Sequence, residues 1–406
     1  MESFENTIID YIDWKSEDNA LFLNHRLNDE IQTHYSRIFK ETTYRQGLKS
    51  HVAFLTSGTT VTDQKSYKMV FLSKQAFLNS AQAITKMLMV TEKDLWVQCL
   101  PRFHVGGLAI EARSHVSGCR VEKFDQTWDA QEFSRFLTKT EATWTSLVPT
   151  QVYDLVHQNI PNPRPKRLRV LVGGARLSLE LLKQAQALQW NLLPSYGMTE
   201  ASSTLALIEN ETLKPFPHVQ LEVVEGKLAV KTNSLFTFYA QLVKGQIEIS
   251  KPQLKNGFFL TEDSASKMGA GIMLLGRNQD VVKISGELVS LPKLRDVMFR
   301  LATINKAHSF YLLATPNSRL GSQVVMVIQK NLLHNDKVKP DNYKLSDSMK
   351  KAIQDFQDEV LPFEKIRQVY VLDSIPRTEM GKVREKVILQ MIEKGEAHEI
   401  REHKLE

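Results

Sequence analysis

The sequence predicts an α/β protein. A large N-terminal domain of parallel, helix-layered sheets carries a small β-barrel-like part and is followed by a small α+β C-terminal domain. Three observations predict it. Between residues 51 and 196, short apolar runs alternate with amphipathic stretches, the pattern of parallel strands joined by crossover helices. After residue 205 the runs alternate polar with apolar residues (VQLEVVEGKLAVKT, QIEIS, FFLTED), the signature of antiparallel sheet or a small barrel. Near 277–280 the texture changes again, which divides the chain into domains 1–276 and 277–406.

The elements follow in order. Residues 1–50 show no pattern that places a strand or helix. HVAFLT (51–56) reads as a buried strand, and a helix follows over 73–89, where Phe77, Ala81, Ile84 and Leu88 form one apolar stripe. Strands are expected at 95–100, 119–124, 143–148, 168–172 and 191–196. Asp129 is placed to cap a helix carrying Phe133, Phe136 and Leu137 on one face, and further helices are expected over 150–158 and 178–189. The C-terminal unit reads as helix 291–302, strands 308–314 and 323–329, helix 346–359, strand 367–372 and helix 382–394. NLLHNDKVKPDNYKLSD, within it, reads as an exposed loop. In parallel sheets ligands bind beyond the carboxyl ends of the strands, so the loops after 55, 100, 148, 172 and 195 should carry the chemistry.

Composition narrows the function classes. Hydrophobic residues make up 42% and charged residues 24% of 406, the profile of a globular protein rather than a disordered one. No apolar run is long enough for a membrane span, and the acidic start MESFENTIIDYIDWKSEDN lacks a secretory pattern. With only Cys99 and Cys119, a disulfide framework is excluded and the expected setting is reducing and cytoplasmic. The net charge of +6 is not gathered into a basic block with interleaved aromatics, so nucleic acid is unsupported, and a mild positive field would suit an anionic small substrate equally well.

Several loops carry chemistry. Thr56, Ser57, Gly58, Thr59 and Thr60 follow a strand directly and offer hydroxyls and an unhindered amide to an anion, without the spacing of a Walker loop. Lys65 and Lys68 follow, either neutralising phosphate or standing as solvated lysines. Gly173, Gly174 and Ala175 close another strand, where glycines let a flat ring approach the backbone. Tyr196, Gly197, Met198, Thr199 and Glu200 place a ring, a hydroxyl and a carboxylate together, a set able to stack a base, bind phosphate and hold Mg²⁺. Asp263 is a carboxylate able to accept two ribose hydroxyls, and Arg277 a cation at the domain boundary. Pro376 to Lys382 form a polar turn before the last helix. Each alone has an ordinary alternative as a turn, a cap or a surface charge.

In their order and spacing these elements resemble the adenylate-forming superfamily of acyl- and aryl-CoA ligases, luciferases and peptide-synthetase adenylation domains. LTSGTT is similar to its phosphate loop, LVGGARL to its adenine-side glycines and YGMTE to its most specific signature. TED, GRNQDVVKISGE and PRTEMGKVRE resemble the ribose aspartate, the hinge segment and the catalytic-lysine loop, so the resemblance runs from Phe54 to the last helix. LPRFHVGGLAIEARSHVSGCRV and SLVPTQVYDLV resemble the o-succinylbenzoate–CoA ligase subgroup of menaquinone synthesis. The chain also departs from the family: Val61, Thr62, Asp63 and Gln64 follow the phosphate loop where glycine, proline and lysine are usual. Leu260 and Glu262 flank the ribose aspartate, and Gln279 takes the hinge position.

The resemblance implies ATP, Mg²⁺ and coenzyme A as cofactor and co-substrates, a small carboxylic acid as substrate, and a C-terminal domain that moves between half-reactions. It further implies Lys382 as the central cation between carboxylate and α-phosphate, Thr199 as a donor to that phosphate and Glu200 as the Mg²⁺ carrier. Tyr196 would stack on adenine, Asp263 and Arg277 would hold the ribose, and His104 would lie beside the acyl pocket. Gln279 would be the pivot. Three alternatives stay open: another aryl or acyl acid, a carrier-protein thiol in place of CoA, or a nucleotide-binding member that has lost turnover.

Overall fold

The computed structural model describes residues 12–56, 67–277, 280–302, 309–335, 340, 343–378 and 381–400. Its centre is a twelve-stranded sheet. Five strands, Arg120–Lys123, Leu95–Gln98, Trp144–Leu147, Arg169–Val172 and Asn191–Met198, lie side by side in parallel. The alternation of their side chains explains the layering. Val97, Leu147, Val170 and Val172 face one way and pack on helices Ala130–Lys139, Pro149–His157 and Leu179–Ala187, through Phe133, Leu137, Leu155 and Leu181. Trp96, Trp144 and Leu171 face the other way and meet Ile84, Leu88 and Ile110. Asp129 accepts from the Glu132 amide at the start of its helix, the cap the sequence called for.

A second, five-stranded sheet holds Ala20–Phe22, His51–Thr56, Lys68–Ser73, Phe238–Val243 and Gln246–Ser250. This corrects the place of His51–Thr56: it is not the first strand of the parallel sheet, but turns back antiparallel to Lys68–Ser73. Helices Lys74–Leu88 and Val105–Ser117 fill the space between the two sheets. Phe77, Ala81 and Leu108 lie in the core under the small sheet, and Ile84, Leu88 and Ile110 in that of the large one. Helix Asp29–Arg45 covers the small sheet's other face with Ile31, Tyr35 and Ile38.

The β-barrel-like part is also corrected. The antiparallel strands after 203 form no separate barrel. Phe238–Val243 and Gln246–Ser250 belong to the five-stranded sheet, and the others continue the large sheet in the open order Asn191–Met198, Ser203–Glu209, Thr212–Pro215, Gly271–Arg277, Phe258–Met268, Lys227–Thr232 and Val219–Val224. Pairing between strands distant in sequence decides this, and local alternation does not encode it.

Residues after 280 build hairpin Val281–Ile284/Glu287–Ser290 and a four-stranded sheet of Phe310–Asn317, Gly321–Gln329, Ile366–Leu372 and His398–Glu399. Helices Leu291–Leu301 and Asp347–Glu359 cover one face of that sheet, and helix Glu385–Glu393 packs on the other through Ile388. The stretch read as an exposed loop is anchored at both ends: Leu332, Leu333, Tyr343 and Leu345 are buried, and Leu333 bridges Leu345. Phe299 of helix Leu291–Leu301 packs against the core that includes Leu181, so this part rests on the helix-covered face of the large sheet. Among the described residues no helix is long and apolar enough to cross a membrane.

Candidate active site

A cavity of about 2680 Å³ opens over the carboxyl ends of the parallel strands. All five loops singled out in the sequence reach it, through Thr56, His104, Thr150, Gly173 and Ser195 among others. Met198, Thr199, Glu200, Gly174, Ala175 and Asp263 line it too, as does Lys382 from the C-terminal part. Ser57, Gly58, Thr59, Thr60, Lys65 and Gln279 lie outside the described residues, as do the departures Val61, Thr62, Asp63 and Gln64. Arg277 is placed by its backbone only, paired in register with Asp263 across two antiparallel strands.

Strand Asn191–Met198 is where the sheet changes character. It runs parallel to Arg169–Val172 on one side and antiparallel to Ser203–Glu209 on the other. Its ladder shifts register between Tyr196 and Gly197. A Cβ at Gly197 would stand 1.9 Å from the Ser203 carbonyl oxygen, so the chain crosses itself there with room for glycine alone. Tyr196 is nearly buried and donates to Asp263 Oδ2 at 2.6 Å, which joins two residues 67 positions apart. Asp263 is further fixed by its own amide, which donates to Thr261 Oγ1. Gly173 extends the parallel ladder by donating to the Leu147 carbonyl, and Gly174 and Ala175 are exposed at the mouth.

Thr199, Glu200 and Ala201 form a single 3₁₀ turn beyond the crossing. The Glu200 carbonyl accepts from the Phe236 amide, and Glu200 Oε1 accepts from the Tyr239 hydroxyl at 3.0 Å. Tyr239 stays protonated far above the ordinary phenol range because it is buried, with the Glu200 carboxylate reinforcing the effect. It therefore acts as a fixed donor to one oxygen of the Glu200 carboxylate, and Glu200 lines the cavity. Among the described residues no three His, Cys, Asp or Glu side chains cluster as a metal cage. A single carboxylate such as Glu200 is of the ligand class Mg²⁺ takes, one or two carboxylates beside phosphate oxygens.

Lys382 stands in a tight turn just before helix Glu385–Glu393, not on the helix. Thr378 donates its amide to the Lys382 carbonyl, the Lys382 amide donates back to Thr378 Oγ1, and Arg377 bridges Val383. Arg377 also donates to the Gly381 carbonyl at 2.9 Å. The turn is seated against the large domain: a Cβ on Gly381 would lie 2.3 Å from Thr150 Cγ2, in the first turn of helix Pro149–His157.

His104 begins helix Val105–Ser117, its carbonyl accepting from Gly107, and its ring lies 4.7 Å from that of Phe103. Two residues of this site were not singled out in the sequence. Tyr239 is one: its strand joins the site only through pairing with Lys68–Ser73. Arg113 is the other. It is 1% exposed, lines the cavity, donates from Nη2 to Thr204 Oγ1 at 2.9 Å and lies over the Trp96 ring. Its Nε has no partner, and among the described residues no carboxylate pairs with it. Burial pulls its pKa down to about 10, which leaves it charged at neutral pH. A buried, unpaired guanidinium costs several kcal/mol, which an anionic ligand would offset. The sequence shows Arg113 beside Glu111 in GLAIEARSHVSG, but only the fold pairs Glu111 with Arg102 and turns Arg113 inward.

A family model described as AMP-binding enzyme matches residues 19–259. The chain is 23% identical over 360 residues to the 2-succinylbenzoate–CoA ligase of Lactococcus lactis, covering 82% of this chain and 70% of that one. It is 28% identical over 239 residues to the ligase of the same name from Escherichia coli, covering 57% of this chain and about half of that protein (49%). It shares its fold with the o-succinylbenzoate coenzyme A synthetase from Bacillus subtilis, solved in complex with ATP and magnesium ion. The TM-score is 0.67 and the identity 20%, over 82% of this chain and 69% of that one.

Proposed function

The chain belongs to the AMP-binding enzyme family, and on that premise we propose that it is an ATP- and Mg²⁺-dependent carboxylate–CoA ligase acting on o-succinylbenzoate. The substrate carboxylate attacks the α-phosphorus of ATP, giving an acyl-adenylate and pyrophosphate. The thiol of coenzyme A then attacks the acyl carbon and AMP leaves. Negative charge accumulates on phosphate oxygens in the first half, so fixed cations and donors should dominate it. Lys382 is the cation shared by carboxylate and α-phosphate, and Thr199 donates to that phosphate. Tyr196 flanks the adenine while its hydroxyl holds Asp263 for the ribose, with Arg277 beside it. Thr56 to Thr60 and Lys65 take the outer phosphates, and Gly173 to Ala175 border the base. Glu200 would hold Mg²⁺, which would supply charge neutralisation at the phosphates. His104 borders the acyl group. Residues 277–406 act as the moving domain, with Gln279 at its pivot.

The observation that carries the choice of acid is Arg113, a buried unpaired cation on the wall of the cavity. An acid with a second carboxylate would pair with it while its first is activated, and o-succinylbenzoate is such an acid. The test is mass spectrometry of the protein with Mg²⁺–ATP, coenzyme A and o-succinylbenzoate, beside benzoate and medium-chain fatty acids. The CoA thioester of o-succinylbenzoate alone is the expected product, and Arg113→Met should cost on the order of 100-fold in kcat/KM for it. Equal turnover of monocarboxylic acids would move the pathway, adenylate without thioester would indicate another thiol acceptor, and no product from any acid would leave a nucleotide-binding protein.

A further inference from the structure

Helix Leu291–Leu301 lies outside the nucleotide loops, yet one of its side chains reaches the segment that carries Lys382. Arg295 uses all three of its nitrogens. Nη1 donates to Asp280 Oδ1 at 2.9 Å, Nη2 to Glu385 Oε1 at 2.9 Å, and Nε to the Leu312 carbonyl at 2.8 Å. The guanidinium also lies over the Tyr311 ring, 4.1 Å from its centre. Tyr311 in turn donates to the same Glu385 oxygen at 2.6 Å. The partners come from three places. Asp280 opens the C-terminal part beside the domain junction, Leu312 and Tyr311 belong to strand Phe310–Asn317, and Glu385 is the first residue of the last helix, three positions after Lys382.

Resting on the reading of Lys382 as the adenylating cation, we propose that Arg295 is a positioning residue: it fixes the Lys382 turn to the domain junction so that adenylate formation, and not thioester formation, depends on it. The turn is closed on its other side by the Arg384 amide donating to the Pro376 carbonyl. Within the C-terminal part the segment is held by a backbone bond at Pro376 and, at Glu385, by the Arg295 guanidinium and the Tyr311 hydroxyl. Only the guanidinium ties Glu385 to Asp280 at the domain junction, so its loss frees the turn from that junction while Tyr311 still holds Glu385. A planar fork with three acceptors in fixed directions cannot be replaced by a point charge, so lysine should fail here as well. Glu385 retains only 22% of its side-chain exposure and Arg295 19%, so water does not substitute readily for either.

The experiment separates the half-reactions. Pyrophosphate release from ATP and o-succinylbenzoate reports adenylation, and thioester formation from synthetic o-succinylbenzoyl-adenylate and CoA reports the second step. Glu385→Gln, which keeps the shape and the acceptor for Tyr311, and Arg295→Lys are measured with thermal unfolding as the fold control. Each should lower the adenylation rate constant by about tenfold or more, with KM for ATP and the thioester step within about twofold of wild type. Equal loss in both steps would assign the network to stability alone and overturn the proposal. So would folded variants that adenylate at the wild-type rate. A wild-type protein that makes no adenylate would overturn the function and this role together, whereas wild-type adenylation with unaffected variants overturns the positioning role alone.

Discussion

The seat of Gly381 against Thr150 gives a prediction whose size can be worked from geometry. Gly381 has φ +72°, and holding alanine in that region costs about 1–2 kcal/mol. The new Cβ would also stand 2.3 Å from Thr150 Cγ2, 2.6 Å from Oγ1 and 2.9 Å from Cβ. Ordinary carbon contacts begin near 3.5 Å, so the turn must lift by roughly 1 Å, since Thr150 is fixed in the first turn of a helix. A displacement of that size at the proposed catalytic group costs on the order of 100-fold, and the backbone cost adds about fivefold to thirtyfold if it is carried by the seated state. Gly381→Ala should therefore lose adenylation by roughly 500-fold or more while leaving thioester formation from preformed adenylate intact, because in the proposed mechanism Lys382 serves the first step only. Gly381→Ala combined with Thr150→Gly removes all three clashing atoms and should recover all but the backbone part, within about thirtyfold of Thr150→Gly alone. The assay is single-turnover pyrophosphate release beside thioester formation. Wild-type adenylation in Gly381→Ala would refute the idea that the seated turn is the adenylating arrangement, and so would a double variant as poor as the single one.

Gly197→Ala forces a Cβ to within 1.9 Å of a backbone oxygen, on a return path where Ser202 and Ser203 already hold φ of +57° and +94°. It should lower unfolding stability by about 3 kcal/mol in urea titration, and a loss below about 1 kcal/mol would contradict the crossing. Burial pushes the Cys99 thiol up to about 12 and raises that of Cys119. Native protein at pH 8 should accordingly resist iodoacetamide until unfolded, with rapid labelling of either thiol the opposing result. His218 has both ring nitrogens unpartnered, and burial draws its pKa down to about 4 from an unfolded value near 6.5. The folded state thus binds fewer protons, so this contribution is present above pH 6.5 and is lost as pH falls toward 4. His218→Phe should narrow the difference in urea midpoint between pH 7.5 and 4.5, and an unchanged difference would show that His218 is not the group responsible.

Legibility in the sequence followed physical contrast. Strands 51–56, 143–148 and 168–172 stood out because apolar runs end at turn residues, and the Asp129 cap because its partner amide is three residues away. Helix Val105–Ser117 did not stand out, since it lies between two sheets with Leu108, Ala109, Ile110, Ala112 and Arg113 all buried, and a helix apolar nearly all round shows no stripe. Helix Asp29–Arg45 escaped for the opposite reason: its buried positions are few among many polar ones, though Asn28 caps it by accepting from the Ile31 amide. Strand Lys68–Ser73 was hidden beside the phosphate-loop segment, read only for its lysines. Tyr239 and Arg113 were invisible as site residues because each enters through a partner far away in sequence, Glu200 and Thr204.

What the sequence did expose were motifs that sit on one strand. Asn191–Met198 is bordered by parallel strands on one side and antiparallel strands on the other, so its end is the place where the two halves of the sheet must part. At that end the Ser203 backbone comes so close that Gly197 has no room for a side chain, Tyr196 lines the cavity, and Thr199 and Glu200 form a short polar turn beyond it. Asp263 arrives from the antiparallel half and closes on Tyr196, which is why a hydroxyl–carboxylate contact spans the parting line. Arg113 lines the same cavity from helix Val105–Ser117, held by Thr204 one residue past the crossing. The signature is therefore compact in sequence because a single topological event creates the site, and the residues it does not include are those that other elements bring to that event.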